Sequence, residues 1–231
     1  MRNGKRIGVV IPARDEERAI AKVVAGIPHW ADHVVVADNG SRDATAALAR
    51  QAGATVVSEP VAGYGAACLT GLAALPACDV IVFLDGDYSD YPEDMADLVD
   101  PILDNRADLV IGSRMIRRED ARELTPQQRY GNGLAVFLIA KIWGQRFTDL
   151  GPFRAISSEA LAALAMADRD YGWTVEMQIK AAKQKLRCLE VPARYRQRIG
   201  VSKISGTVSG TLRAGTKILS VIGRHWLSAG S

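Results

Sequence analysis

Cysteine is scarce in this 231-residue chain: Cys68, Cys78 and Cys188 form no CxxC pair, and an odd number closes no disulfide framework. A reducing, cytoplasmic setting suits such usage. Long apolar runs are missing too. The N-terminal stretch holds only the five-residue run Ile7–Ile11, too short for the core of a secretion signal. The longest run, Leu134–Ala140, stops at Lys141 and cannot span a bilayer. A soluble or membrane-peripheral protein is expected. The three histidines offer no metal-ligand spacing, since Pro28 and Asp32 put His29 and His33 in a loop. Low-complexity tracts, internal repeats and interdomain linkers are absent, and nothing points to nucleic acid.

What is present is an ordinary globular composition, 48% hydrophobic and 24% charged, with an uneven charge distribution. Residues 1–111 hold 9 basic against 17 acidic side chains, and residues 112–231 hold 20 against 9, giving −8 and +11. Halves of opposite sign suggest different tasks within one compact domain. The expectation is a donor-binding half over 1–114 and an acceptor-binding half over 115–231. An acidic half suits a metal site, and a basic half suits phosphates or a membrane surface.

The first half alternates. Apolar runs at Ile7–Ile11, Val34–Ala37, Thr55–Ser58, Val80–Leu84 and Leu109–Ile111 read as strands. Between them, Glu16–Ile27, Arg42–Ala52, Gly65–Ala74 and Pro92–Leu103 read as helices. That order implies βαβ units around a parallel sheet, and unbroken apolar strands imply burial on both faces. The second half predicts helices over Gln127–Trp143, Glu159–Ala167 and Trp173–Lys183, a strand over Leu186–Val191, a basic loop over Arg194–Lys203 and a final helix over Thr207–Trp226.

Open parallel sheets bind ligands beyond the carboxyl ends of their strands. The fourth apolar run delivers Asp85-Gly86-Asp87 at such an end. Two carboxylates so placed can reach one Mg²⁺ or Mn²⁺, which takes one or two carboxylates and fills its shell with phosphate oxygens and water. The other reading is a solvated turn. Asp38, after the second strand, can accept hydrogen bonds from a base or ribose, whereas Asp43 also suits a helix cap. Pro12 breaks the first strand ahead of Asp15, Glu16 and Glu17, acids that also favour a helix N-terminus.

In the basic half, Arg114, Arg117, Arg118, Arg129, Arg196 and Arg198 supply the planar forks that phosphate recognition uses, or face solvent. A phosphate acceptor is largely dianionic at neutral pH and needs no base, whereas a hydroxyl acceptor does. Glu176, mid-helix among apolar residues, and Asp149 are the candidate bases; their other readings are a buried hydrogen-bonding partner and a turn. Along the last helix Val208, Leu212, Gly215, Leu219, Ile222 and Trp226 share one face, with Arg213, Lys217 and Arg224 beside it. Such a helix either packs on its own core or a homodimer partner, or lies in a membrane interface.

IPARDEE, VVVADNGSRDAT, VAGYGAACLTG, FLDGDYSD and IGSR, in this order and spacing, resemble family-2 glycosyltransferases of the GT-A fold. TDLGPFRAI, YGWTVEMQIKA and VPARYRQRIGVSK resemble the dolichyl- and polyprenyl-phosphate branch. The resemblance covers Arg6 to Lys203 and implies an α/β, Rossmann-like, mostly parallel central sheet flanked by helices, with a C-terminal acceptor-side extension and a terminal helix. It implies metal-dependent, inverting transfer from a nucleotide-diphosphate sugar of UDP-glucose or GDP-mannose type to polyprenyl phosphate. Alternatives are a small soluble acceptor, including a retaining reaction like that of glucosyl-3-phosphoglycerate synthases, or a sugar nucleotidyltransferase. By resemblance, Pro12, Ala13, Glu16 and Gly63 belong to the nucleotide side and Asp38 contacts the base. Asp85, Gly86 and Asp87 form the metal and diphosphate motif. Arg114 lies near the reaction centre, Glu176 faces the acceptor, and Arg198, Ser202 and Lys203 close on phosphates. Tyr64 stands where the family often carries Lys or Arg. The branch often carries C-terminal membrane helices, and this chain shows none.

Overall fold

A computed structural model describes residues 1–200 and 208–227. Its seven-stranded sheet comprises β1 (Ile7–Ala13), β2 (His33–Asp38), β3 (Thr55–Ser58), β4 (Val80–Phe83), β5 (Leu109–Ser113), β6 (Arg154–Ser157) and β7 (Cys188–Pro192). The order is β3-β2-β1-β4-β6-β5-β7. All neighbours run parallel except β6, which pairs antiparallel with both β4 and β5. Strands from both halves of the chain thus share one sheet.

The helices are α1 (Ile20–Gly26), α2 (Thr45–Gln51), α3 (Tyr64–Ala74), α4 (Met95–Leu103), α5 (Arg118–Arg122), α6 (Pro126–Trp143), α7 (Ser158–Leu164), α8 (Trp173–Lys183) and α9 (Val208–Leu227). Successive residues of a strand point to opposite faces. Val9, Ile11 and Val82 meet α1, α2 and α4 in one apolar layer, while Val10, Ile81 and Phe83 meet α3, α6, α8 and α9 in the other. Burial on both sides explains why these strands lack polar alternation.

Two expected boundaries shift for local reasons. The helix predicted from Glu16 begins at Ile20, because Asp15 takes a left-handed φ of 51°. Here Asp15 N–H donates to Ser41 Oγ at 2.9 Å and Glu16 N–H to Thr45 Oγ1 at 2.7 Å. Side chains of the β2–α2 loop thereby satisfy donors that a helical turn would leave unpaired. The helix predicted to Ala167 ends at Leu164, where Ala165 turns left-handed at φ 47°. The antiparallel β6, absent from the strand reading above, is short and begins with a buried arginine. By contrast α6 begins as its sequence suggests: Thr125 and Gln128 form a reciprocal capping box ahead of Pro126. No helix among the described residues is long and apolar enough to cross a membrane.

Candidate active site

The carboxyl ends of β1, β2 and β4 open into a cleft of about 200 Å³. Pro12, Ala13, Glu16, Gly63, Asp85, Gly86, Asp87 and Arg198 all line it, so eight of the sequence-predicted residues are gathered in one place. Asn39, Tyr64, Asp170 and Tyr171 line it too and carried no role in the sequence reading. Asn39 follows Asp38 within the VVVADNGSRDAT motif. Tyr171 opens YGWTVEM and Asp170 precedes it, so position relative to recognised motifs was the available signal.

Gly86 is held tight: a Cβ there would lie 3.1 Å from Ala13 Cβ and 3.4 Å from the Pro12 carbonyl oxygen. This brings the Asp85-Gly86-Asp87 turn against the end of β1. Asp85 Oδ1 accepts the Tyr64 hydroxyl at 3.1 Å. Asp87 Oδ1 accepts Ser89 N–H at 2.9 Å, and its Oδ2 lies 3.1 Å from the Arg198 guanidinium. The same guanidinium pairs with Glu16 on the β1–α1 loop. Asp90, behind this turn, is buried, and its Oδ1 has no hydrogen-bond partner among the described residues. Burial and the neighbouring Asp87 push the Asp85 carboxyl up to about 7. Burial, then Asp85 and Asp87, push Asp90 well above the usual carboxylate range. Both shifts disfavour the ionised carboxylates, and a cation bound at the turn would restore them.

Among the described residues no group of three or more acidic, histidine or cysteine side chains forms a ready metal cage. A site completed by diphosphate oxygens and water needs only one or two carboxylates, and Asp85 and Asp87 fit that requirement.

Asp38 ends β2 buried, outside the cleft lining, with Oδ1 unpartnered among the described residues. Asn39 takes the lining position instead. Its Nδ2 donates to the carbonyls of Glu59 and Val61 at 3.0 and 2.7 Å, and its Oδ1 accepts Gly63 N–H at 2.8 Å. The side chain shapes the loop before α3.

The glycine-rich segment proves to be a packing device. A Cβ at Gly63 would run into the carbonyl of Arg169, and one at Gly65 into that of Asp168. These glycines admit the 165–172 loop, whose Asp170 and Tyr171 wall the cleft. Two buried carboxylates hold that loop. Asp168 Oδ1 accepts Asp170 N–H at 2.8 Å and Gly172 N–H at 3.1 Å, while its Oδ2 pairs with Lys217 at 3.0 Å and Arg224 at 3.6 Å on α9. Glu176 accepts the N–H groups of Ala167 and Asp168 and pairs with Lys180 at 2.9 Å. It lines a second cavity, beside Asp168, Lys217 and Arg224, not the main cleft.

Arg114 directly follows β5, two strands away from Asp85. Its Nε and Nη2 each donate to Asp149 at 2.8 Å, and its backbone N–H donates to Asp149 Oδ2 at 2.9 Å. Burial opposes the guanidinium charge, but Asp149 outweighs it and holds the Arg114 pKa above its usual value. Asp149 is fully buried and does more than shape a turn: it orients Arg114. Arg117 and Arg129 are exposed and line neither cavity, and Ser202 and Lys203 lie outside the described residues.

Comparison with known proteins agrees with this geometry. Residues 8–164 match the family model "Glycosyl transferase family 2". An uncharacterized glycosyltransferase of Mycobacterium tuberculosis is 34% identical over 215 residues, covering 91% of this chain and 95% of its own. Polyprenol monophosphomannose synthase of Mycolicibacterium smegmatis is 29% identical, covering 90% of this chain and 84% of its own. The crystal structure of Mycobacterium tuberculosis glucosyl-3-phosphoglycerate synthase with Mn²⁺, UDP-glucose and phosphoglyceric acid superposes with a TM-score of 0.73 at 27% identity, over 95% of this chain and 80% of that one. The chain belongs to glycosyl transferase family 2 and is a glycosyltransferase of the GT-A fold.

Proposed function

We propose that this glycosyltransferase moves a hexose from a nucleotide-diphosphate sugar to the phosphate of a polyprenyl phosphate, in one displacement with inversion. The observation that carries the acceptor reading is the state of the two candidate bases. Asp149 has both oxygens on Arg114, and Glu176 is bound to two backbone amides and Lys180. Neither is poised to take a proton from a hydroxyl, and a dianionic phosphate acceptor requires none. Arg114, fixed and charged, suits recognition of that phosphate.

On the donor side, Asp85 and Asp87 would hold Mg²⁺ or Mn²⁺. A divalent ion there neutralises the diphosphate and makes it a better leaving group. Arg198 sits on Asp87 and Glu16, where it can turn its charge to the departing nucleotide as the sugar becomes cation-like. Asp38, with a buried acceptor atom unused among the described residues, suits an N–H or O–H of the nucleoside. Metal use is supported by the Mn²⁺ complex of the related synthase.

A second reading has a specific basis: that synthase, whose complex holds phosphoglyceric acid, overlays 95% of this chain. A small phosphorylated acceptor would use Arg114 in the same way. Radiolabelled UDP-glucose or GDP-mannose, incubated with Mn²⁺ and either polyprenyl phosphate or 3-phosphoglycerate, separates the two. Organic-extractable label supports the lipid acceptor, water-soluble glycoside supports the second reading, and absence of nucleotide release from either donor under every acceptor condition refutes both. Calorimetric titration of UDP into Asp87→Ala, with and without Mn²⁺, tests the metal: undiminished Mn²⁺-dependent affinity removes that role.

A further inference from the structure

One face of α6 is left over by both the core and the active site. Its inner side carries buried Asn132, Ala135 and Ile139. On another side Tyr130, Leu134 and Phe137 follow at spacings of four and three, 82%, 49% and 56% exposed. Neighbouring α9 turns Val221 and Ile222 inward but leaves Leu219, Trp226 and Leu227 exposed at 44%, 60% and 73%. The stripe expected on α9 is therefore split: Ile222 serves the core, while Leu219 and Trp226 face out. Aromatic and aliphatic groups repeated along an outward helix face are more than the scattered apolar residues of an ordinary surface.

The surroundings are basic. Arg117, Arg122, Arg129, Lys141 and Arg146 are all exposed on or near α6. Lys141 lies over the Phe137 ring at 5.9 Å. Glu119 and Glu123 are the exposed acids of this stretch.

The inner side of the same helix touches the acceptor machinery. Asn132 Nδ2 donates to the Thr148 carbonyl at 2.9 Å, and its Oδ1 accepts Leu150 N–H at 2.8 Å. These two residues bracket Asp149, which holds Arg114. The exposed stripe thus lies about one helix diameter, on the order of 10 Å, from the acceptor-side contacts.

We propose that the outward faces of α6 and α9 dock on a membrane surface carrying anionic headgroups, with Tyr130, Leu134, Phe137 and Trp226 entering the headgroup region. The charge pattern selects this occupant over a second copy. A twofold interface sets a patch against itself, and this basic fringe would face its own like charge. An anionic bilayer offers the complementary sign, and amphipathic helices with a basic border and aromatic anchors lie at such interfaces. The proposal deepens the polyprenyl-phosphate reading, since it places Arg114 near a membrane-held acceptor.

The test is sedimentation of the full chain with phosphatidylcholine vesicles, with and without phosphatidylglycerol. Wild type should sediment with the anionic vesicles and be released by added salt. Tyr130→Ser/Leu134→Ser/Phe137→Ser and, separately, Arg122→Glu/Lys141→Glu should each lose about tenfold in partitioning, with UDP binding retained as a check on folding. Absence of wild-type binding, or unchanged binding of both variants, overturns the proposal. So does a wild-type dimer that the serine variant converts to monomer. Failure of the acceptor reading is seen separately: vesicle binding would persist while detergent-dispersed polyprenyl phosphate takes no label.

Discussion

Gly65 lies so close to the main-chain carbonyl of Asp168 that no other residue fits between α3 and the 165–172 loop. Gly65→Ala must push that loop away from the cleft it walls. We expect a stability loss of about 1–3 kcal/mol, as for other overpacked sites. The KM for donor should rise, because Asp170 and Tyr171 move with the loop. Asp168→Asn, which weakens the link to Lys217 and Arg224, should raise donor KM in the same direction. Urea denaturation and steady-state kinetics read the two effects, and a Gly65→Ala protein with wild-type stability and KM would contradict the packing role.

Asp149 and Arg114 form a buried pair, with 0% and 13% side-chain exposure. Removing one partner strands a charge in the interior. Asp149→Ala should therefore cost about 3–5 kcal/mol of stability. A general base would behave differently, losing turnover at unchanged stability. Comparing the urea midpoint with kcat decides which description holds.

Arg198 joins Glu16 to Asp87 across the mouth of the cleft. Arg198→Ala removes an ion pair from each carboxylate and, on the proposed mechanism, a cation from the leaving nucleotide. Turnover should fall by about 10²–10³, the range for loss of one preorganised electrostatic contact. Since the cation acts on charge that develops during transfer, kcat should fall more than KM rises. A change confined to KM would place Arg198 in ground-state binding only.

The thiols should separate by environment. Burial puts the Cys68 thiol well above its usual pKa and the Cys188 thiol up to about 12, and raises Cys78 less. At pH 8 the Cys188 thiol therefore stays protonated and slow to react. Alkylation of the native protein should mark Cys78 first, its rate growing with pH. Mass spectrometry after limited iodoacetamide treatment reads the order, and early modification of Cys68 would mean that α3 opens.

The donor side was legible because its residues sit where parallel strands end. A buried strand announces itself by composition, and Asp85 and Asp87 follow such a strand into the cleft, whereas Asp38 ends its strand outside the lining. The acceptor side was less so. Arg154 is a fully buried arginine in β6, donating to the carbonyls of Leu150, Gly151 and Thr174, and no hydropathy pattern marks such a strand. Asp149 read as a candidate base or a turn residue because its partner, Arg114, is 35 positions away. Gly63 was placed on the nucleotide side by resemblance, yet the group that needs the missing side chains of Gly63 and Gly65 is a loop about a hundred residues downstream.

Strand β6 enters between β4 and β5 from the opposite direction, and this sets a length. Neighbouring strands lie about 4.8 Å apart, so the turn after β4 and the arginine after β5 are separated by two strand widths, roughly 10 Å. The inserted strand thus works as a spacer: the distance between the Asp85–Asp87 turn and Arg114 is built into the backbone ladder, and loop substitutions change the side chains around the two points without changing how far apart they stand.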